Sequence, residues 1–146
     1  MKIFLDTSSL FKLYHEEEGT EELEKVFSQA KITEIFLSEI AKVEFTSTIW
    51  KKVRTKEVTV EQAEITLDLF EIDFEKYSFV TTDSLVLERA RNLTTKYGVE
   101  GLRTLDSIQL STCIELAKQA DVFYADDKLL KTLIEKEGLP TKMPGR

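Results

Sequence analysis

The sequence predicts an α/β fold: a three-layer sandwich in which a central parallel sheet of four to five strands is flanked by helices. Three observations predict it. Short apolar runs alternate with longer amphipathic segments along the chain. Several amphipathic segments carry their own end signals, and acidic residues follow directly on two of the apolar runs, where open α/β sheets collect their ligand sites. At 146 residues the chain is long enough to bury a core without disulfides or structural zinc, and one domain over residues 1–146 is expected.

The elements follow in order. Residues 2–5 form the first strand, with helices over residues 9–14 and 20–30 after it. Residues 34–37 form the second strand, and Ser38 is placed to cap a helix reaching residue 56. In Thr59-Val60-Glu61-Gln62 a hydroxyl and an amide stand at capping-box spacing, opening a helix that reaches residue 75. Residues 77–80 read as the third strand, and Asp83 or Thr82 caps the helix that ends at residue 97. Thr104 caps a helix running to residue 119. Residues 122–125 give the fourth strand, residues 128–137 the last helix, and residues 141–143 an edge strand. Gly98 and Gly138 each follow a helix end and are expected to turn the chain through a left-handed conformation. Residues 140–146, with two prolines and a glycine, are expected to fray.

Composition narrows the class. With 42% hydrophobic and 32% charged residues, a disordered or fibrous chain has little support. The single Cys113 cannot form an internal bridge, which agrees with a reducing compartment. The chain reads directly into a strand and has no apolar run near the length that crosses a bilayer, so no membrane association and a cytoplasmic location are expected. A net charge of −7 argues against grip on nucleic acid through a generally basic surface. It leaves a nuclease open, because part of that charge would belong to the site and Lys51-Lys52-Val53-Arg54 offers a local basic stretch.

Four carboxylates fall where such a fold carries them to one edge of its sheet. Asp6 and Asp126 each follow a strand, Glu44 lies inside the helix that opens near Ser38, and Asp106 lies in the first turn of its helix, where backbone N–H groups favour an anion. Two unit charges about 4 Å apart repel by about 1 kcal/mol in water and about 4 kcal/mol at an effective dielectric near 20. A cluster of like charges with no lysine or arginine built in beside it is expected to bind a hard divalent cation, and oxygen ligands suit magnesium or manganese. Such an ion supplies phosphate polarisation, a lowered water pKa and stabilisation of the leaving oxygen, which is the chemistry of phosphodiester hydrolysis.

Each residue also has a plainer reading. Asp6 could cap the next helix, Glu44 could be a solvated helix residue, Glu39 complements a helix dipole, and Asp83 reads as a cap. Glu44 is placed on or beside an inward face by its neighbours Ile40, Val43 and Ser47. His15, the only histidine, precedes Glu16-Glu17-Glu18-Gly19 and reads with it as a solvated loop. One histidine cannot build a multi-histidine zinc site or a convincing serine triad. Cys113 shares an apolar helical stripe with Leu110, Ile114 and Ala117 and reads as core. Phe36, Phe45, Trp50 and Phe70 likewise read mostly as core or interface.

Taken together, Asp6-Thr7-Ser8 at the end of the first strand, Ser38-Glu39-Ile40-Ala41-Lys42-Val43-Glu44, Leu105-Asp106-Ser107-Ile108-Gln109-Leu110 and Ala125-Asp126-Asp127-Lys128-Leu129-Leu130 resemble the PIN-domain nucleases, and within them the VapC toxins of prokaryotic toxin–antitoxin pairs. The likeness covers nearly the whole chain and rests on order and spacing. It implies that Asp6, Glu44, Asp106 and Asp126 bind the metal, with Asp127 as the alternative to Asp126, and that Thr7 or Ser8 steadies the site. Two positions depart from many relatives: Tyr124 stands where a threonine or serine often precedes the last acid, and Gln109 where a histidine is frequent.

The resemblance implies a magnesium- or manganese-dependent endoribonuclease leaving 5′-phosphate and 3′-hydroxyl ends. It also implies a homodimer held in check by a VapB-type antitoxin. The alternative is a PIN-like protein-binding module or RNA-processing factor with little or no nuclease activity. A haloacid dehalogenase phosphatase is weaker still, because Ser8 stands where that chemistry usually requires a second aspartate.

Overall fold

Side chains alternate across each strand, and here both faces of every central strand are apolar, so the sheet must be covered twice. The computed structural model describes residues 1–145. Among them, strands β1 (Lys2–Leu5), β2 (Glu34–Ser38), β3 (Ser78–Val80), β4 (Val122–Tyr124) and β5 (Thr141–Lys142) form one five-stranded sheet in the order β3-β2-β1-β4-β5. All four pairings are parallel. The helices are α1 (Thr7–Phe11), α2 (Thr20–Gln29), α3 (Ala41–Arg54), α4 (Val60–Ile72), α5 (Ser84–Tyr97), α6 (Thr104–Glu115) and α7 (Lys128–Lys136), with a 3-10 turn at Asp73–Lys76 after α4.

The alternation sorts the core into two. Ile3, Leu5, Leu37, Val122 and Tyr124 face a cluster containing Leu10 and Phe11 of α1, Leu23 of α2, Phe45 and Ile49 of α3, and Phe70 of α4. Phe4, Phe36, Phe123 and Ala125 face the other, with Leu93 of α5, Leu110 and Cys113 of α6, and Leu130 and Leu133 of α7. Phe4 is in register with Phe36 on one side and Phe123 on the other. Each fully buried side chain of this size contributes about 1.5–3 kcal/mol, so the predicted three-layer arrangement has a double apolar core behind it.

Local signals explain most element ends, and several differ from expectation. Thr59 and Gln62 form the predicted capping box, and Asp83 caps α5 through the Val86 amide. α1 begins at Thr7, two residues early, because Asp6 itself caps it. Ser38 finishes β2 and does not cap α3, which begins at Ala41 after Ile40. Thr104 is the first residue of α6, with Arg103 at the cap position. Gly98 keeps a right-handed φ of −59°, and the left-handed turn falls at Gly101 (φ +102°). Gly138 turns left-handed as expected, at φ +81°.

α6 stops at Glu115, short of the predicted end, and a separate turn links Leu116 to Gln119. Residues 140–145 are tied down through β5 and the buried Met143. The last residue of the stretch expected to fray, Arg146, lies outside the described residues. No helix among the described residues is long and apolar enough to cross a membrane.

Candidate functional site

β1 leads to β2 and β3 on one side of the sheet, whereas β4 and β5 lie on the other. The strand order therefore reverses between β1 and β4, and a crevice at the carboxyl ends of such strands is the expected ligand position. Asp6 follows β1 and Asp126 follows Ala125 just beyond β4. The Asp126 amide donates to Asp6 Oδ2 at 3.4 Å, so the two acids meet at that point.

Asp6 is 3% exposed. Its Oδ1 accepts a 2.8 Å hydrogen bond from the Ser9 amide, so the capping role is real. It does not exhaust the carboxylate: burial, reinforced by the nearby Asp126 charge, pushes the Asp6 pKa up to about 7 despite the amide bonds that oppose the shift. Asp106, half-buried in the first turn of α6, is pushed up to about 6 by burial, then by Asp127 and Glu44, with Arg103 opposing. The electrostatics thus link Asp6 to Asp126, and Asp106 to both Glu44 and Asp127.

Glu44 is held by a small network. Thr7 donates its hydroxyl to Glu44 Oε1 at 2.8 Å. The Gln109 amide nitrogen donates to Thr7 Oγ1 at 3.0 Å and to Glu44 Oε1 at 2.9 Å. Both donors to the carboxylate end on one oxygen, which fixes the Glu44 rotamer and leaves Oε2 outside the network. Ser8 is exposed, and the contact with Glu44 is made by Thr7. Val43 and Ser47 are exposed rather than inward-facing; Glu44 lies half-buried beside the truly inward Ala41 and Phe45. Ile40, Val43, Glu44, Ser47, Thr48 and Leu105 line a groove of about 400 Å³.

The sequence matches the PIN domain family over residues 3–133. The chain belongs to the PIN domain family. Its fold is similar to FitAcB from Neisseria gonorrhoeae, with a TM-score of 0.74 at 12% identity and 97% of each chain covered. It is also similar to Mycobacterium tuberculosis VapC20, a sarcin-ricin loop cleaving toxin, with a TM-score of 0.69 at 14% identity over 90% of this chain and 94% of that one. VapBC-1 from nontypeable Haemophilus influenzae gives a TM-score of 0.67 at 14% identity with both chains fully covered, at 100%. At these identities the likeness is one of fold. No curated protein is significantly similar in sequence.

In this PIN domain the donor set suits a hard divalent ion in its chemistry. All the acids offer oxygen, and burial, with neighbouring carboxylates adding to it, raises the pKa of Asp6 and of Asp106. Gln109 Oε1 is buried beside Glu44 with no hydrogen-bond partner among the described residues. The acids are not gathered tightly: among the described residues no three His, Cys, Asp or Glu side chains lie close enough together to enclose an ion. Magnesium tolerates this, because it usually keeps several waters and takes only one or two carboxylates directly.

Beside Asp126 the PIN crevice holds a cation that the sequence reading did not place there. Lys12 is 3% exposed, and its ammonium lies 3.1 Å from Asp126 Oδ2 and 3.1 Å from Glu17 Oε1. It also donates to the Glu18 carbonyl at 2.6 Å. Burial alone would lower its pKa, but the bonds to Asp126 and Glu17 outweigh that and raise it, so Lys12 stays charged. The expectation of an acid cluster with no lysine built in beside it is therefore corrected. Of the loop read as solvated, Glu16 and Glu18 are exposed and His15 and Glu17 half-buried, whereas Gly19 is buried, and Thr20 beyond it donates to the Lys12 carbonyl. Gly19, at φ +97°, passes so near Lys12 that a Cβ there would lie 3.1 Å from its Cε.

Lys12 does carry a sequence signal, in that it interrupts the apolar run Leu10-Phe11-Lys12-Leu13-Tyr14. Its pairing with Asp126 depends on β1 and β4 lying side by side, which no local pattern specifies. Asp127, meanwhile, caps α7 through the Leu130 amide, at 2.8 Å, while its charge bears on Asp106.

Proposed function

We propose that this PIN domain is a divalent-metal-dependent endoribonuclease and the toxin of a VapBC-like pair. Asp6, Glu44, Asp106 and a fourth acid from the Asp126–Asp127 pair would hold magnesium, or manganese in its place. The observation that carries this reading is the meeting of Asp6 and Asp126 at the reversal of strand order, in a family whose model matches residues 3–133. A bound divalent ion would relieve the repulsion between neighbouring acids and supply Lewis-acid activation of water and phosphate. Thr7 and Gln109 orient Glu44, and the groove running from Glu44 to Leu105 would give a nucleic acid an approach to Glu44.

The structural neighbours named for their assemblies, VapBC-1 and FitAcB, support a small antitoxin as partner; the homodimer is carried into this reading by the family resemblance alone. Cleavage of structured and single-stranded RNA in magnesium, in manganese and in EDTA tests the reading. Cleavage is expected with either metal and lost in EDTA and in the Asp6→Asn plus Asp106→Asn variant. Equal cleavage in EDTA would remove the metal mechanism.

The wide spacing of the acids favours a second reading, a PIN-like protein-binding module with little or no catalysis. Titration calorimetry separates the two, since a module would bind its protein partner tightly even with the carboxylates neutralised.

A further inference from the structure

In a chain of net charge −7, general electrostatic attraction cannot hold nucleic acid, so any grip on phosphates has to come from local groups of cations. The basic stretch Lys51-Lys52-Val53-Arg54 forms the last turn of α3, the helix that carries Glu44. Folding sorts its members. Lys52 is half-buried, paired with Glu57 at 3.6 Å and set over the Phe11 ring, and Val53 packs against the core. Lys51 and Arg54 are exposed, and neither side chain has an ion pair among the described residues.

Helical periodicity aligns these two cations with the groove beside Glu44. Its α3-side lining residues, Ile40, Val43, Glu44, Ser47 and Thr48, recur at spacings of three and four, and Lys51 and Arg54 continue the same series. Phe45 and Ile49 take the other side of the helix, into the core. At about 1.5 Å of rise per residue, Lys51 lies about 10 Å and Arg54 about 15 Å beyond Glu44 along the helix axis. One exposed face therefore carries a carboxylate at its start and two unpaired cations at its end.

We infer that Lys51 and Arg54 form a phosphate-binding site for single-stranded RNA, holding the substrate backbone a few nucleotides to one side of the phosphate that is cleaved. This rests on the nuclease reading given above and deepens it, by fixing the line of the strand along the outer face of α3, past Ser47 and Thr48, to Glu44. One helix face offers a single line of contacts, which suits one strand better than a duplex. Arg54 presents a planar fork that matches phosphate oxygens, and Lys51 a point charge. Both are binding residues, too far along the helix from Glu44 to touch the reacting atoms. A plainer role exists for cations in a last helical turn, which is to complement the helix dipole. Lys52, in the same turn, would serve that role equally.

The salt dependence of RNA binding separates the two roles. A mixed-sequence single-stranded RNA of about 12 nucleotides, within the usual range of single-strand site sizes, is titrated with the full-length protein in EDTA, and fluorescence anisotropy is followed from about 50 to 200 mM salt. Lys51→Gln and Arg54→Gln are each expected to reduce the slope of log affinity against log salt by about 0.7, and the two together by about 1.4. The reduction should be the same for RNAs of different sequence, since a phosphate contact reads no base. Lys51→Arg is expected to keep the slope. Lys52→Gln, which removes the same charge from the same turn on another face, and Lys118→Gln, at a remote exposed lysine, should keep it too. In cleavage assays the double variant is expected to act on KM rather than on kcat.

An unchanged slope in the folded double variant, or an equal fall in Lys52→Gln, would overturn the inference while leaving the nuclease reading standing. RNA neither bound nor cleaved by the unaltered protein would remove both. Cations that only complement the dipole would lower the melting temperature alike in Lys51→Gln, Lys52→Gln and Arg54→Gln and leave the slope alone, which also overturns the inference.

Discussion

Asp6 combines two demands in one side chain. It caps α1 through the Ser9 amide and lies buried beside Asp126, with its pKa pushed up to about 7. A carboxylate whose folded-state pKa is raised makes the native state bind more protons than the unfolded chain, so stability falls as pH rises between the two values. For Asp6 that window runs from its ordinary value near 3.8 to about 7, and for Asp106 from 3.8 to about 6. Metal-free protein is therefore expected to melt at a lower temperature at about pH 8 than at about pH 5, with Asp6→Asn removing most of the difference. Magnesium, which binds the ionised form, should raise the melting temperature more at the higher pH. A melting temperature independent of pH in EDTA would contradict this.

The Thr7–Gln109–Glu44 network makes a second prediction at the same scale. Gln109→Leu removes two donated bonds, and Thr7→Val removes the bond Thr7 donates to Glu44 and the one it accepts from Gln109. Each is expected to lower RNA cleavage by about 10- to 100-fold, the range typical of groups that orient a metal ligand. Circular dichroism should show the fold retained, and a manganese titration should show weakened binding. Glu44 was singled out in the sequence from its place in the family's pattern, and its bonds to Thr7 and Gln109 were not. Gln109 stood out only as a departure from that pattern, because its partners lie 65 and 102 residues away in the chain.

At the scale of elements, α3 is positioned by aromatic packing. Phe45 lies one residue from Glu44, with its ring centroid 5.1 Å from Phe11 of α1, 4.1 Å from Phe70 of α4 and 5.2 Å from Tyr14. Phe45→Ala is expected to cost about 3–5 kcal/mol in denaturant unfolding and to lower activity as well, since Glu44 shares the helix. Thr59→Ala breaks the capping box of α4, far from the acids in the chain, and should cost about 1 kcal/mol with little change in cleavage.

The contrast reflects what local patterns encode. A capping box declares itself within four residues, and the Thr59–Gln62 pair formed as read. Ser38 looked equally suited to capping, but β2 extends through Ser38 to pair with Val80, and strand pairing prevailed over the cap. The left-handed turn expected at Gly98 moved to Gly101 for a related reason: α5 ends at Tyr97 but Gly98 still keeps helical dihedrals, so the reversal is delayed.

At the scale of the whole molecule, the sheet and its two covering layers were legible because alternating apolar runs and amphipathic segments are repeated along the chain. The acids were legible as residues that follow strands or open helices. Strand order was not, and it decides which acids meet: only the β1–β4 neighbourhood brings Asp126 to Asp6 and lets Lys12 reach it. A buried lysine is visible in sequence only as a break in an apolar run, whereas its neutralising role appears once the loop of residues 12–20 closes over it.

A crystal structure of the protein soaked in manganese, with the ions located by anomalous scattering, tests most directly whether these distant carboxylates serve one metal centre. A manganese peak shared by Asp6, Glu44 and Asp106, directly or through bound waters, is the expected result. Manganese absent from that crevice at millimolar concentration, or bound only elsewhere on the surface, would contradict it.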